Sequence, residues 1–293
     1  VTPTVAWELL ATGLVTGGVY ALVALGLNLQ YGLMRILNVA HGEFLMLGAF
    51  LTCSAHTALG VSPLAMMPVA FAALALLGFG IHRLTFRRLA ATSPNVDVFE
   101  ARGLMVAFGL MFLVQNAAQL IWGADLRGYD YLSDSLPIGG GVAFAANKLV
   151  LLAVALALAA ALIVLLRTTL LGKGVRALMQ SPVGAQLVGI DTRRLHPLVF
   201  GLGLGLAGVA GCLLSMTYTI TPAMGEPYTV TALIVITLGG FGSMGGALFA
   251  GLALGVIEAF GMHFTSPSFK AVLSYAVFIA VLLWKPDGLF TRR

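Results

Sequence analysis

Residues 13–50 read GLVTGGVYALVALGLNLQYGLMRILNVAHGEFLMLGAF, and this stretch decides the class of fold. Its charged side chains are Arg35 and Glu43, with His41 between them. An apolar run this long is enough to cross a bilayer, which takes about 20 residues of helix. Its glycines and its Asn28, Gln30 and Asn38 rule out a plain greasy anchor. The pattern is that of helices packed closely against other helices inside a membrane.

The rest of the chain has the same character. Of 293 residues, 59% are hydrophobic and 9% are charged. Ordinary soluble domains run at roughly 45–50% apolar and about 25% charged. Twenty-seven charges cannot cover the surface of a soluble fold of this size, and the mean hydropathy of +1.00 agrees. Composition therefore excludes a soluble enzyme, a disordered chain and a nucleic-acid-binding domain, despite a net charge of +5. Cys53 and Cys212 sit inside apolar runs and read as buried small side chains, with no metal-ligand or disulfide spacing.

Nine segments are candidate spans: 6–30, 38–56, 62–82, 103–123, 147–167, 196–220, 228–240, 246–262 and 270–285. With no basic residue ahead of it, 6–30 reads as a first span rather than a cleaved leader. The second segment contains His41 and Glu43, and the seventh and eighth are short and Gly-rich. The expected fold is thus a polytopic all-α bundle of eight or nine spans, some short or broken, in one transmembrane domain over 1–293. An external N-terminus and an internal C-terminus place 13 of the 16 Lys and Arg inside, among them Arg83, Arg87, Arg88, Arg167, Arg193, Arg194, Arg292 and Arg293. The outer loop 124–146 carries Asp125, Asp130, Asp134 and the run Gly139, Gly140, Gly141.

Polar groups at bilayer depth mark either packing hydrogen bonds or a pathway. The pathway candidates are Asn28, Asn38, His41 and Glu43 around the first inner turn, Gln115, Asn116 and Gln119 on the fourth segment, and Glu258 on the eighth. Each has a structural alternative. His41 and Glu43 fit an interfacial helix start, the glutamines fit an interhelical seam, and Glu258 fits a contact with outer headgroups. Regularly spaced carboxylates or histidines are missing, so no metal site is expected and a proton pump is disfavoured. An ion-coupled transporter would need carboxylates at the midplane, and Glu43 and Glu258 both read as peripheral. No catalytic constellation stands out.

The chain also shows no nucleotide-binding loop. Gly172-Lys173-Gly174 lacks the following Ser or Thr, and the run from Gly239 to Gly246 has no Lys, so it reads as a tight turn between helices. The inner segment 171–191, LGKGVRALMQSPVGAQLVGID, is too polar to span and too regular for a loose loop. Val175, Leu178 and Met179 recur at helical spacing; Ser181-Pro182 opens a second short helix. Such a unit either lies on the membrane surface or docks into a groove on a cytoplasmic partner.

Three blocks carry a family likeness. Residues 13–50 resemble the opening of the inner-membrane permeases of branched-chain amino acid ABC importers, the LivH type. Residues 172–195, GKGVRALMQSPVGAQLVGIDTRRL, resemble that family's cytoplasmic coupling segment, and 235–260, VITLGGFGSMGGALFAGLALGVIEAF, its late Gly-rich segment. Val39 stands where the family usually has Phe. The resemblance implies a permease without an ATPase site of its own, placed in a bacterial inner membrane. Its implied partners are a second permease, homologous or identical, two ATPase subunits that use ATP and Mg, and an extracytoplasmic binding protein. On the matching positions, coupling to the ATPases falls on Gly174, Arg176, Ala177, Ala185, Leu187, Gly189, Ile190 and Asp191 within 172–191. Branched-chain amino acids are the implied substrates; urea, short amides and, in the wider superfamily, sugars are the alternatives.

Overall fold

A computed structural model describes residues 2–139, 142–285 and 288–290. Gly140, Gly141, Arg292 and Arg293 lie outside the described residues. The chain runs α1 Pro3–Met34, α2 His41–Leu59, α3 Pro63–Ile81, a π-helical turn His82–Phe86, α4 Arg87–Thr92 and α5 Val96–Trp122. A hairpin follows, β1 Ser135–Gly139 and β2 Val142–Ala145. Then come α6 Ala146–Thr168, α7 Leu170–Gln180, α8 Pro182–Leu187, α9 Thr192–Ser215, α10 Gly225–Gly239, α11 Met244–Phe264 and α12 Lys270–Trp284.

The nine apolar segments all form helices. Six are long and apolar enough to cross a membrane: α1, α3 with its continuation to Thr92, α5, α6, α9 and α11. This makes the chain a multi-pass membrane protein, with Met105, Leu120, Val164 and Leu283 on its lipid-like exterior. The other three are shorter or more polar: α2 has 19 residues, α10 and α12 have 15 each. A 15-residue helix is about 22 Å long, less than the roughly 30 Å of a hydrocarbon core. The loop 124–146, read only as a loop, contains the β1–β2 hairpin, so the chain is helical but not purely so.

Helix ends follow local chemistry. Ser62 and Asn95 accept from the backbone N–H of Ala65 and Val98 at the starts of α3 and α5. The C-cap of α1 is Arg35, in the left-handed region at φ 54°. That turn sends 36–40 back along α1, where Ile36, Asn38 and Ala40 are fully buried.

α1 occupies the centre, packed on α11, α9, α6 and α10. It meets α11 antiparallel through small residues: a Cβ at Gly13 would strike the backbone of Val256, and one at Gly17 that of Leu252. α9 is central as well, and its glycine stripe serves several neighbours. Gly201 and Gly205 face α3, Gly203 faces α1, and Gly211 faces α2. Close backbone approach gives the van der Waals contact that lipid cannot drive.

Candidate functional site

The polar residues around the α1–α2 turn converge into one buried group. Asn28, Gln30, Asn38 and His41 are fully buried, and Glu43 is 1% exposed. Gln30 donates from Nε2 to the Phe200 carbonyl at 3.0 Å and accepts from Asn38 Nδ2 at 3.1 Å. This ties α1, the returning segment and α9 together. Asn28 accepts from the Gly242 N–H at 2.7 Å and donates to the Ser243 carbonyl at 3.0 Å. It therefore pins the Gly239–Gly246 turn, where Gly240 and Gly242 take φ of 88° and 79°. The tight-turn reading of that run holds.

His41 and Glu43 are not interfacial. His41 Nε2 lies 3.2 Å from the Val23 carbonyl, and its ring flanks Gly26, which packs on Gly203 of α9. From Thr192 to Gly203 is about 11 residues, roughly 16 Å of helix, or about half the hydrocarbon thickness. α2 thus starts near mid-depth. The sequence reading of Glu43 as peripheral is corrected: burial follows from the left-handed turn at Arg35, which no composition reveals.

α10 starts at the same level. A Cβ on Gly42 would overlap the Gly225 carbonyl, and the Gly42 N–H donates to Thr229 Oγ at 2.7 Å. The first turn of α10 brings Glu226, an exposed residue that sequence reasoning missed by starting the segment at 228. Glu226-Pro227 carried the signal, since acidic residues and Pro favour the first turn of a helix.

Glu258 is also buried, at 1% exposure, rather than reaching headgroups. Tyr20 Oη donates to it at 2.6 Å, Ser274 Oγ donates to its other oxygen, and Lys270 Nζ stands 3.7 Å away. Lys270 also lies over the Tyr20 ring, 5.5 Å from its centre. All of Glu258's partners come from α1 and α12, so it locks those helices to α11. Tyr20 escaped the sequence reading because Glu258 lies 238 residues away, and Ser274 and Lys270 because they sit on the next helix, across the turn after α11.

The α5 amides do not join either group. Gln115 is half-buried, Asn116 and Gln119 are exposed, and Asn116 Nδ2 donates to its own helix at Phe112 O, 2.7 Å. Within this chain they do not form a seam with a neighbouring helix.

Residues 170–191 form the expected pair of short helices. Ser181 Oγ accepts from the Gly184 N–H at 3.1 Å, with Pro182 in the first turn. Val175, Leu178 and Ala185 are buried, and Ala177 and Ile190 are half-buried. Ile190 and Leu195 flank Gly174. Leu187 and Val188 are 82% and 75% exposed, beside Gly189 at φ 84°. Arg176 donates to the Arg167 carbonyl at 3.3 Å. Asp191 belongs to the next element: it caps α9 through the Arg193 N–H at 3.0 Å and pairs with Arg194.

These features run the length of one family. Residues 9–282 match the model of the branched-chain amino acid transport system permease component. The chain belongs to that permease family. It is 31% identical to the high-affinity branched-chain amino acid transport system permease protein BraD of Pseudomonas aeruginosa, over 97% of this chain and 95% of the relative. It is 31% identical to the corresponding LivH protein of Salmonella typhimurium, over 96% and 94%. The LivM permease protein of Escherichia coli matches at 23%, over 92% of this chain and 67% of the relative. No solved structure matches the chain. Beneath α7 and α8 the permease also has a basic cleft of about 710 Å³, lined by Arg35, Arg87, Arg193, His82 and His196. Neither Glu43 nor Glu258 lines it.

Proposed function

We propose that the permease forms half of a translocation pathway for branched-chain amino acids in an ATP-driven importer. The names of BraD and LivH supply the substrate class. The observation that carries a pathway reading is the meeting of α2 and α10, two helices that begin near mid-depth with their first turns in contact. Interrupted helices with irregular backbone at membrane depth belong where they are buried in protein or line a water-filled cavity.

In this reading the N-terminus faces outward and α7–α8 faces the cytoplasm of a cell with this protein in its inner membrane. The bias of Lys and Arg toward that end supports the orientation. Leu187 and Val188 then dock on ATPase subunits, which bind ATP and Mg and do the hydrolysis. A second permease, LivM-like or a second copy, covers the exposed α5 face with Gln115, Asn116 and Gln119, because polar side chains at membrane depth rarely face lipid. An extracytoplasmic binding protein delivers the substrate.

The test is uptake by the complete complex in vesicles, with radiolabelled leucine, isoleucine, valine, urea and acetamide. ATP-dependent accumulation of the three amino acids is expected. Accumulation of urea or acetamide alone overturns the substrate class, and leucine uptake without ATPase subunits overturns the energy source. External labelling of single cysteines should reach positions in 126–136 and miss 88–98; the reverse pattern overturns the orientation.

A further inference from the structure

The junction of α2 and α10 combines three features that point to one ligand chemistry. First, Glu43 is 1% exposed, and its Oε2 has no hydrogen-bond partner. The carboxylate is aimed at the start of α10: a Cβ built on Gly225 would sit 2.8 Å from Glu43 Cδ. Second, no side chain caps α10, whose N-cap is Met224. Third, the contact of Gly42 with Gly225 places a second carboxylate, Glu226, in the adjoining turn, close enough to act on Glu43 electrostatically. The salt bridges among the described residues are Arg194–Asp191 and Lys270–Glu258, and neither touches this pair.

A buried carboxylate without a cation is costly, and two side by side are costlier. Glu226 is exposed on the surface of the single chain at about the depth of Glu43. Carboxylates at that depth face a bundle interior or a water-filled cavity rather than lipid. What the junction lacks is a compact cation with N–H donors. What it offers beside the carboxylates is the start of α10, whose N–H groups and dipole favour an anion. A group carrying both charges on one carbon satisfies both.

We propose that this junction is the subsite for the α-amino acid head group, with the substrate's ammonium held between Glu43 and Glu226 and its carboxylate at the first turn of α10. The assignment rests on the permease reading above and adds to it the residues that hold the solute. Gly42 and Gly225 let the two helix starts touch, which brings the carboxylates together. The branched side chain then points away from the junction, so the site recognises the head group common to all three amino acids.

The experiment uses the complete complex in nanodiscs without the binding protein, so that binding by the membrane subunits is read directly. Saturation-transfer NMR is recorded with leucine, with 3-methylbutylamine, which keeps the ammonium, and with 4-methylpentanoate, which keeps only the carboxylate. Leucine should bind best, the amine should bind and compete with it, and the acid should bind weakly or not at all. Charge-assisted hydrogen bonds of this kind are worth a factor of roughly ten or more, so Glu43→Gln and Glu226→Gln should each weaken leucine and amine by about that factor. Neither substitution should weaken the acid, and the loss of a like charge should strengthen its signal if anything. Equal binding of leucine by wild type and both variants overturns the proposal. So does a signal that vanishes when sodium salts are exchanged for choline salts, since an alkali ion would then be the cation at the carboxylates. Should Glu43→Gln fail to assemble, the surface variant Glu226→Gln decides alone. Failure of the functional reading is separate: a wild-type complex that takes up no branched-chain amino acid overturns that reading, whatever the variants do.

Discussion

Two regions of the permease solve opposite packing problems. Where α2, α9 and α10 meet, backbone lies on backbone at the glycines, and Asn38, His41 and Glu43 are buried among the helix starts. On α7 and α8, Val175, Leu178 and Ala185 turn inward, while Leu187 and Val188 stand free. The first region is complete in one chain as packing and incomplete in charge. The second is satisfied in polar groups and incomplete in apolar burial. Each deficiency motivates one of the proposals above: a small charged solute in one case, a protein surface in the other.

The largest effect should come from filling the first region. Gly211→Leu would drive a side chain into the Leu45 carbonyl of α2, and neither backbone can retreat inside a packed bundle. Overpacking costs about 1–3 kcal/mol where side chains can adjust, and more where they cannot. The expected outcome is loss of a monodisperse complex in fluorescence-detected size exclusion. Normal assembly would show that the α2–α9 contact is loose.

The second region should respond quite differently. If α8 docks as proposed, Leu187→Asp removes about 1.5–3 kcal/mol of burial against the ATPase and adds a charge to the contact. ATPase co-purification should therefore fall by at least about tenfold, with stimulated ATPase activity, while the permease melts as before. Retention of the ATPases would place α8 on the membrane surface instead.

Asn28→Ala sharpens the comparison inside the first region. It leaves the Gly242 N–H, which Asn28 now holds at 2.7 Å, without that partner. The bond is only part-buried, so its loss should cost about 0.5–1.5 kcal/mol, the range of an ordinary hydrogen bond. A melting temperature lowered by a few degrees is expected. Equal melting of both proteins would mean that the glycine turn holds itself.

Asn116→Ala should have the smallest effect on the subunit. Its amide bonds only to its own helix at Phe112 O and is exposed in the single chain. Subunit stability should stay within about 0.5 kcal/mol, the usual range for surface changes. A loss confined to pairing with the second permease, read by co-purification, is the expected consequence of the α5 face being an interface.

Much of this was legible in the residues. The apolar runs announced the helices because a bilayer demands about 20 such residues, whatever the fold. Ser181-Pro182 announced α8, since a capping hydroxyl and a first-turn proline act within four residues. Asn28 and Glu258 stood out as polar groups at depth, but their partners did not. Ser243 lies 215 residues from Asn28, and Tyr20 lies 238 residues from Glu258. Such pairings depend on how α1 and α11 cross, which is a property of the whole bundle.

Sequence by itself determined the environment, the helices and the short amphipathic pair, because hydropathy, propensity and capping are local energies that each segment carries wherever it goes. Family membership was legible for a related reason, since its blocks preserve residues at local spacing. Tertiary structure alone decided depth and neighbourhood. A left-handed residue at Arg35 folds 36–40 back along α1 and carries Glu43 from an expected interface to mid-membrane. The contact of Gly42 with Gly225 brings Glu226 beside it from more than 180 residues away. The reason is physical: close backbone approach and buried charge are collective, set by which helices have already packed, and no single segment contains that information.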